Sequence, residues 1–491
     1  MSKIFSILFC LTILFGSLVN AQVLISSQPG SAHSSAQLEV RSNQKGFLPP
    51  VMSTAERKAI PNPAEGLMVF DSSKQKMYVF TKAGWQSFNL TPESLVISGG
   101  VAFPNPGFSP NELAGHKVEI YNEYAYLGAW GSTISGKIEQ GSVYMYKYEN
   151  GTWNYNRKII APDGQAGDYF GSDISATDSL VFISASGDSF GENLKQGSVY
   201  IYKWVDTSLV YQSKITGSNA TGGDRFGFDI EAKGNLLVVG ATMDDIGENV
   251  NQGSVYFFEW EGNSLIEKSK YFATTNVASN NLLGKGIFID SNFVVVGCDF
   301  LNTSGVYGFN RNRISIFQRS VDGDWALHSE IVNPSGQNYE AFGYSITLKE
   351  DILTVSALMR DVPSGNKDRG VVYVYKKNGM AWDAIQTIAP QDSSSADLYG
   401  DYFGHHMDRD GKYLVVGSSF EDFGSGQIDY GGAFVYEWNG SQFVQLKKLR
   451  STSPQIQELF GYGVAIHNGN IVVGAPGRNS NAGGAYFFYL E

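Results

Sequence analysis

The chain has 491 residues, more than one hydrophobic core usually serves, so a small module beside a large repeat array is the first expectation. It contains 56 glycines, with 13% aromatic and only 17% charged residues, which suits short strands and turns rather than long solvated helices. The net charge of −12 disfavours nucleic acid and anionic lipid as partners.

The first segment, residues 1–21 (MSKIFSILFCLTILFGSLVNA), combines an early lysine, an apolar run and a small-residue end. This order is typical of a secretory signal peptide, with cleavage expected before Gln22. A membrane anchor is the alternative, but the apolar run is short and polar sequence follows it at once. We therefore expect an exported protein, extracellular or at the cell surface, with the periplasm as a further possibility and without insertion into the membrane. Cys298 is the only cysteine after this segment, so no intramolecular disulfide is expected.

Residues 22–92 share nothing with the rest of the chain and are predicted to form a small accessory module. The tetrapeptide STAE (53–56) is a capping box for a short helix, which Pro61 would end. The stretch GLMVFDSSKQKMYVF (66–80) has the pattern of a β-hairpin. A role in attachment or oligomerisation fits such a module, although no oligomeric state is predicted.

From residue 113 onward the chain repeats itself. A pair, Phe-Gly or a weaker variant of it, recurs in seven copies at intervals of 56 to 61 residues. The glycines of these pairs are Gly115, Gly171, Gly227, Gly284, Gly343, Gly404 and Gly461. Three residues after each glycine stands an aliphatic residue or Met407, and fourteen residues after it stands a small one, from Ala129 to Ala475.

Each copy is predicted to contain four strands, here called A to D. Strand A follows the glycine, and strand B is a continuous apolar run such as LLVVGA (236–241), which indicates burial on both faces. Strand C alternates, as in GSVYIYKW (197–204), and strand D runs through Ile159 or Ile215. The fold class is therefore all-β: a seven-bladed β-propeller of four-stranded antiparallel blades over residues 94–491.

The last copy stops after strand C and so lacks its own strand D. The apolar stretch SLVISGGVAF (94–103) lies before the first strand A, where strand D of a preceding blade would be expected. We predict that residues 94–103 supply the missing strand by pairing with residues 484–489 and thereby close the ring.

The order of Phe-Gly, a strand ending in Gly-Ala-Pro or a variant (VGAP, 473–476) and then GSVYxY resembles the FG-GAP repeats of integrin-α-type propellers. The resemblance is closest to the calcium-free bacterial version of the repeat and covers residues 113–491. Integrin-type blades often carry an Asp-x-Asp-x-Asp-Gly calcium loop between strands A and B, where this chain has tight turns. The best remnant, DRDGKY with Asp408 and Asp410, is interpreted as a β-turn rather than a residual calcium site. No metal and no cofactor are expected.

Acidic residues stand two positions before the Phe-Gly phenylalanine in six of the seven copies. A ring of metal ligands is one interpretation. We favour the other, in which each carboxylate accepts backbone N–H groups at the turn between strands D and A. The residues at this position are Glu112, Asp168, Asp224, Asn281, Glu340, Asp401 and Glu458. The adjacent pair His405-His406 opens a strand A, where successive side chains point to opposite faces, so a shared ligand is not expected.

The A–B turns keep a constant spacing, whereas the B–C connections differ in composition and, over the whole chain, in length. Strand direction alternates, so the B–C and D–A connections should share one rim, and variable loops on a constant scaffold are typical of binding surfaces. The acids of these loops that we predict to bind a ligand are Asp188, Glu192, Asp244, Asp245, Glu248, Glu421 and Asp422.

The function that the resemblance and these loops favour is binding or adhesion, with an extracellular protein or glycan as ligand and without catalytic residues. Two alternatives remain open: a propeller-scaffold enzyme acting on extracellular polysaccharide or another substrate, and a structural surface-layer component. An enzyme should gather acid, base or metal-binding residues in one or two blades, and no such cluster is visible in the sequence.

Overall fold

The structure is a computed structural model. It describes residues 23–26, 38–41, 49–74, 76–82, 84–87, 97–274, 279–290, 292–298, 313–320, 323–336, 340–361, 368–390, 400–422 and 429–490. The predicted signal peptide, residues 1–21, lies outside the described residues. The chain divides into two compact units, Met1–Ser94 and Leu95–Glu491. Among the described residues, no helix has the length and apolar character needed to cross a membrane.

The first unit contains two small sheets and one helix. Its elements are β1 (Val23–Ser26), β2 (Leu38–Arg41), β3 (Val51–Met52), α1 (Thr54–Ala59), β4 (Met68–Asp71), β5 (Lys76–Thr81) and β6 (Gly84–Ser87). Strands β1 and β2 pair in parallel, and β3 to β6 form a four-stranded sheet in chain order. The predicted hairpin is confirmed, because β4 pairs antiparallel with β5.

The capping box predicted from STAE is also confirmed. Ser53 is the N-cap of α1, its side chain accepts the Glu56 N–H, and the Glu56 carboxylate accepts the Ser53 N–H at 2.7 Å. Arg57 of this helix is buried and pairs with the buried Asp71 of β4 at 2.9 Å. This ion pair ties the helix to the sheet.

The described residues of the second unit form seven four-stranded antiparallel sheets. We call them blades 1 to 7 in chain order. Strands A are β8 (Val118–Tyr121), β12 (Phe170–Ala176), β16 (Phe226–Lys233), β20 (Leu283–Ile289), β24 (Phe342–Lys349), β28 (Phe403–Asp410) and β32 (Val464–His467). Strands B are β9 (Tyr124–Ala129), β13 (Leu180–Ala185), β17 (Leu236–Ala241), β21 (Phe293–Cys298), β25 (Ile352–Ala357), β29 (Tyr413–Ser418) and β33 (Asn470–Gly474).

The outer half of each blade follows the same plan. Strands C are β10 (Ser142–Glu149), β14 (Ser198–Val205), β18 (Ser254–Glu261), β22 (Arg313–Arg319), β26 (Val371–Asn378), β30 (Gly432–Trp438) and β34 (Ala485–Leu490). Strands D are β11 (Thr152–Ile159), β15 (Ser208–Ile215), β19 (Ser264–Tyr271), β23 (Trp325–Val332), β27 (Ala381–Ile388), β31 (Phe443–Leu449) and β7 (Ile97–Ala102). A short helical segment, α2 (Arg478–Asn481), lies between strands B and C of blade 7.

The phenylalanine of the repeat and the small residue fourteen positions after its glycine form one structural pair. The phenylalanine of the Phe-Gly pair lies directly opposite the small residue of strand B, as in Phe170 with Ala185 and Phe226 with Ala241. All four of these side chains are fully buried. A large ring on strand A therefore needs a small partner on strand B, which explains why both positions recur together.

The glycine that follows the phenylalanine makes a bulge in strand A. Its φ is positive in every copy, for example 87° at Gly171, and the pairing of A with B shifts register between Phe170 and Ile174. A Cβ at Gly171 would lie 2.5 Å from the carbonyl oxygen of Ser142 in the previous blade. The position thus requires glycine both for its dihedral angle and for the close approach of the neighbouring blade.

The seven blades close into a ring through their first strands. Each strand A contacts strand A of the next blade, and β32 of blade 7 contacts β8 of blade 1. Blade 7 takes its outer strand from the start of this unit. Strand β7 pairs antiparallel with β34, with Ala102 opposite Tyr486 and Ile97 opposite Leu490. An all-β propeller fold of four-stranded blades is thus confirmed.

Candidate binding surfaces: the loop rim and the central channel

The B–C connection of one blade packs against the D–A turn of the next. In the B–C connection of blade 2, the carbonyl oxygens of Leu194 and Gln196 accept the N–H groups of Gly223 (2.9 Å) and Phe226 (2.8 Å), which lie at the turn into strand A of blade 3. Both kinds of connection therefore lie on the same side of the ring. We call this surface the loop rim, defined by the B–C connections and D–A turns that the structure describes.

In blades 1 to 3 the B–C connections share one structure, a difference from the expected variability of these loops. Each forms a tight hairpin tip, closed by a bridge between Ile134 and Lys137, Phe190 and Asn193, or Ile246 and Asn249. Each also ends in a buried glutamine at the same position: Gln140, Gln196 and Gln252. The side-chain amides of the last two donate to carbonyl oxygens of the next D–A turn, at 2.9 and 2.7 Å. The corresponding residues 299–312, 362–367 and 423–428 of blades 4 to 6 lie outside the described residues.

Three of the seven predicted ligand-binding acids are buried and occupied within their own blade. Each forms an ion pair with a lysine of strand D. The pairs are Asp188 with Lys214 (2.9 Å), Asp244 with Lys270 (2.6 Å) and Glu421 with Lys448. In addition, the hydroxyls of Ser198 and Ser254 donate to Asp188 and Asp244. These carboxylates tie the root of the B–C loop to strand D.

The other four predicted acids are closer to solvent. Glu192, Asp245 and Glu248 are exposed, and Asp422 is half-buried. Asp245 accepts the Asn251 N–H at 2.7 Å and so braces its own loop. Asp422 accepts the Asp429 N–H at 2.8 Å. The structure therefore places three carboxylates, Glu192, Asp245 and Glu248, at the surface of two adjacent loops.

Exposed apolar side chains accompany these acids at equivalent positions. Ile138, Leu194 and Val250 each occupy the same place in the loops of blades 1, 2 and 3, with 65%, 70% and 53% of the side chain exposed. Phe190 in the second loop is also half exposed, at 50%. Three neighbouring blades thus present an exposed apolar residue, and two of them, blades 2 and 3, also present exposed carboxylates.

The acids before each phenylalanine are buried parts of the D–A turns rather than a metal-binding ring. Asp168, Asp224 and Glu458 accept backbone N–H groups three residues upstream, for example from Thr221 to Asp224 at 2.6 Å. Other members pair with side chains, as Asp401 does with Arg369 at 2.6 Å. Among the described residues, no group of three or more His, Cys, Asp or Glu side chains is arranged to hold a metal ion.

The Asp408 and Asp410 carboxylates bind backbone groups of blade 7. Asp408 accepts the Ile466 N–H at 2.7 Å, and Asp410 accepts the Asn468 N–H at 2.6 Å. Both residues end β28, and a two-residue turn leads to β29 at Tyr413. This geometry is that of a β-turn whose acids link two blades.

A channel of about 690 Å³ lies at the centre of the ring, lined by strands A of all seven blades. Strand A is the inner edge of each blade, so its inward N–H groups have no partner strand. Side chains of the preceding blade supply acceptors instead: Asp173 for Ile230 N–H (2.7 Å), and Asp229 for Gly286 N–H (2.7 Å). Part of the polar lining therefore stabilises the ring itself.

The channel concentrates charge. Lys117 lies 2.7 Å from Asp173 and 3.3 Å from the Nε2 atom of His406. Burial opposes the ammonium charge, but Asp173 and Asp229 outweigh it and raise the pKa of Lys117. Burial raises the pKa of Glu119 to about 8 and that of Asp229 to about 7.

The histidines of the channel are held by aromatic neighbours. His405 has its Nδ1 atom 3.1 Å from the Tyr462 carbonyl oxygen, and its ring centroid lies 4.2 Å from that of Tyr462. His116 has its Nε2 atom 3.1 Å from the Tyr462 hydroxyl. Burial lowers the pKa of His116 to about 3 and that of His405 to about 4, so both are neutral at pH 7.

The motifs of the sequence do not point to this channel, because its residues come from copies that are far apart. One signal is nevertheless present. The position one residue after the repeat glycine reads His, Ser, Phe, Lys, Tyr, His and Tyr in blade order, and the next position reads Lys, Asp, Asp, Gly, Ser, His and Gly. The glycine before them and the aliphatic position after them are nearly uniform. Divergence at two adjacent offsets of a regular repeat is what channel-lining positions would show.

Comparisons with known proteins agree with the repeat. Residues 153–202 and 210–258 match the FG-GAP repeat family, and residues 25–101 match a family described as a phage tail like trimerisation region. A crystal structure of a protein from Lactobacillus plantarum is similar over 77% of this chain and 93% of that chain, with 12% identity and a TM-score of 0.43. No curated protein matches the chain. Residues 153–202 and 210–258 thus match FG-GAP repeats, and they lie within a unit that folds as a β-propeller of four-stranded blades.

Proposed function

We propose that the protein is an exported binding protein that recognises an extracellular protein or glycan through its loop rim. The observation that carries this proposal is the equivalent loop in three adjacent blades, each with an exposed apolar side chain, two of them beside exposed carboxylates. Exposed apolar residues surrounded by polar ones are characteristic of interaction sites. A repeated loop on neighbouring blades extends such a site over a wide surface.

The charge of the rim supports a choice of partner. Three carboxylates (Glu192, Asp245 and Glu248) and one lysine (Lys195) are exposed on the loops of blades 2 and 3, whereas the amine of Lys137, in the loop of blade 1, is bound to the Gly164 carbonyl oxygen at 2.6 Å. The whole chain is also acidic, with a net charge of −12. A partner with cationic or hydroxyl-rich groups fits this surface, since complementary charge speeds encounter while buried apolar contacts supply affinity.

We further propose that the first unit assembles three copies of the chain. The match of residues 25–101 to a trimerisation region supports this assignment. Three propellers on one stem would raise the apparent affinity for a multivalent surface without any new contact. Light scattering should give three times the chain mass for residues 22–491 and the single-chain mass for residues 95–491. A single-chain mass for the longer chain would contradict the trimer without affecting the rim.

The rim is tested by reversing charge where the acids are exposed. The variant Glu192→Lys, Asp245→Lys, Glu248→Lys should lose binding in a glycan array and a pull-down of surface proteins, with an unchanged melting temperature. The control carries the same three reversals on the opposite side of the ring, at the exposed A–B turn residues Glu123, Asp178 and Glu350. Loss of binding in the control, with retention in the rim variant, would place the site on the other side.

The apolar part of the rim is tested separately. Leu194→Ser removes the most exposed of the three equivalent apolar side chains and should weaken binding without lowering stability, because the residue is 70% exposed. Export is tested by sequencing the N-terminus of the secreted chain, which should begin at Gln22.

A further inference from the structure

The central channel contains polar groups that the fold does not need. Positions that the blades require are nearly uniform in the seven copies, namely the phenylalanine, its glycine and the aliphatic residue three positions later. Positions that line the channel differ from copy to copy. A purely structural ring could be filled with small or apolar residues, because burying charge costs free energy.

Two of these groups stand out once the structural roles are assigned. Asp173, Asp229 and Asp408 accept N–H groups of the next strand A. The side chains of Glu231 and Lys285 make no hydrogen bond or ion pair among the described residues, yet both line the channel. Lys285 has its Nζ atom 4.6 Å from the ring centroid of Tyr344 and 5.0 Å from that of Phe228.

Simple ions fit the channel poorly. An anion would find Lys117 already paired with Asp173 at 2.7 Å, while a cation would meet the ammonium groups of Lys117 and Lys285. A neutral ligand that both donates and accepts hydrogen bonds satisfies both the carboxyls and the ammonium groups of the channel. The half-buried rings of Tyr344 and Tyr462 provide faces for the apolar C–H surface of such a ligand.

We propose that the central channel is a second binding site, independent of the loop rim, that takes a neutral saccharide. Its volume of about 690 Å³ falls within the roughly 300–1,000 Å³ range of small-molecule sites. The Glu231 carboxyl accepts hydrogen bonds from hydroxyl groups of the sugar, and Lys285 donates hydrogen bonds to hydroxyl or ring oxygens. The aromatic rings hold the sugar from the side.

The experiment is a calorimetric titration of the whole mature chain with a panel of neutral mono-, di- and trisaccharides. At least one should bind saturably, and Glu231→Leu and Lys285→Met should each weaken it roughly tenfold or more, as removal of one partner of a buried hydrogen bond predicts. The triple rim variant Glu192→Lys, Asp245→Lys, Glu248→Lys is the matched control and should bind the saccharide normally. Melting temperatures of both channel variants establish that they fold.

The other outcomes overturn the proposal. Absence of saturable binding by every saccharide at millimolar concentration excludes a saccharide site, and binding of spermidine instead would assign the channel to cations. If the wild type and both channel variants bound the saccharide with equal affinity, or if only the rim variant lost binding, the saccharide site would lie on the loop rim and not in the channel. A rim that fails to bind any partner leaves these results unchanged, so the two proposals fail separately.

Discussion

Gly171 shows how a single residue supports a blade. Its φ of 87° lies in the left-handed region, which costs an L side chain roughly 1 kcal/mol or more. A Cβ there would also lie 2.5 Å from the Ser142 carbonyl oxygen of the adjacent blade, a clash that typically adds about 1–3 kcal/mol. We therefore expect Gly171→Ala to lower the free energy of unfolding, measured by chemical denaturation, by the sum of these two contributions.

The matched control is Gly191→Ala. Gly191 lies on an exposed loop and also has a positive φ, 61°, but a Cβ added to it would have no atom within 4 Å. This variant should lose only the dihedral contribution. Equal losses in the two variants would remove the close approach of blades as the reason for the conserved glycine offset.

The residue before each Phe-Gly phenylalanine carries backbone strain in all seven copies. Its φ lies between 49° and 59°, although none of these residues is glycine. They are Leu113, Tyr169, Arg225, Leu282, Ala341, Tyr402 and Leu459. Because side chains from alanine to arginine adopt this conformation, the D–A turn imposes it, and the strain belongs to the fold rather than to one functional site.

Glu119 should make stability depend on pH. Burial raises its pKa from 4.5 to about 8, so the folded chain binds this proton more tightly than the unfolded chain. Stability is then lost as the pH rises between these two values. Glu119→Gln keeps an acceptor for the Ala176 N–H, which Glu119 binds at 3.2 Å, and cannot ionise.

We therefore expect the melting temperature of the wild type to fall more steeply between pH 5 and pH 8 than that of Glu119→Gln. Lys117, Asp173 and Asp408 act on the same carboxyl and remain in both proteins, so the difference reports Glu119 alone. The exposed Glu248→Gln is the control for the change in charge. Parallel curves for wild type and Glu119→Gln would show that this carboxyl does not set the pH dependence.

At the scale of the element, strand D is held to the B–C loop by a buried ion pair. Lys270 of β19 lies 2.6 Å from Asp244, and the two side chains are 12% and 5% exposed. Removing one partner leaves the other charge buried, a loss of about 3 kcal/mol. Lys270→Met should lower the free energy of unfolding by roughly this amount.

The same strand provides the comparison. Lys268, two residues earlier, pairs with Glu261 at the surface, with 36% and 53% of the side chains exposed. Surface pairs contribute about 0–1 kcal/mol, so Lys268→Met should change stability little. Chemical denaturation of both variants measures the contrast. Similar losses of unfolding free energy in the two variants would mean that Lys270 does not stabilise Asp244. Asp244 would then again be a candidate ligand-binding acid of the loop rim.

At the scale of the whole molecule, closure depends on a strand from the start of the propeller unit. Without residues 95–103, the edge of β34 would be open, and the chain would also lack the buried Phe103, whose N–H binds the Ala485 carbonyl oxygen at 2.9 Å. A chain that begins at Pro104 should therefore unfold at a lower temperature and aggregate. A chain that begins at Leu95 should melt like the mature chain.

Calorimetry of the two truncated chains gives the answer. If the chain from Pro104 were as stable as the chain from Leu95, the pairing of β7 with β34 would contribute nothing to closure. If both truncated chains lost stability equally against the mature chain, the first unit would be the stabilising part instead.

Much of the propeller is determined by local sequence. The offset between Phe170 and Ala185 is a contact between paired strands of one hairpin, so the chain must repeat it in every blade. The continuous apolar runs of strand B indicate burial on both faces, and every residue of β17 is buried. The missing strand D of blade 7 follows from counting strands, because a four-stranded unit needs its outer strand.

Only the tertiary structure separates the acids of one loop by role. Asp188 and Glu192 stand four residues apart in the sequence, yet Asp188 is buried against Lys214, 26 residues later, while Glu192 is exposed. The channel is less visible still, since His116 and Tyr462 meet across 346 residues of chain. Strands that pair within a blade are close in the sequence, so their spacing predicts the pairing. Burial of the loop acids and the chemistry of the channel depend on contacts between distant residues, which form only when the ring closes.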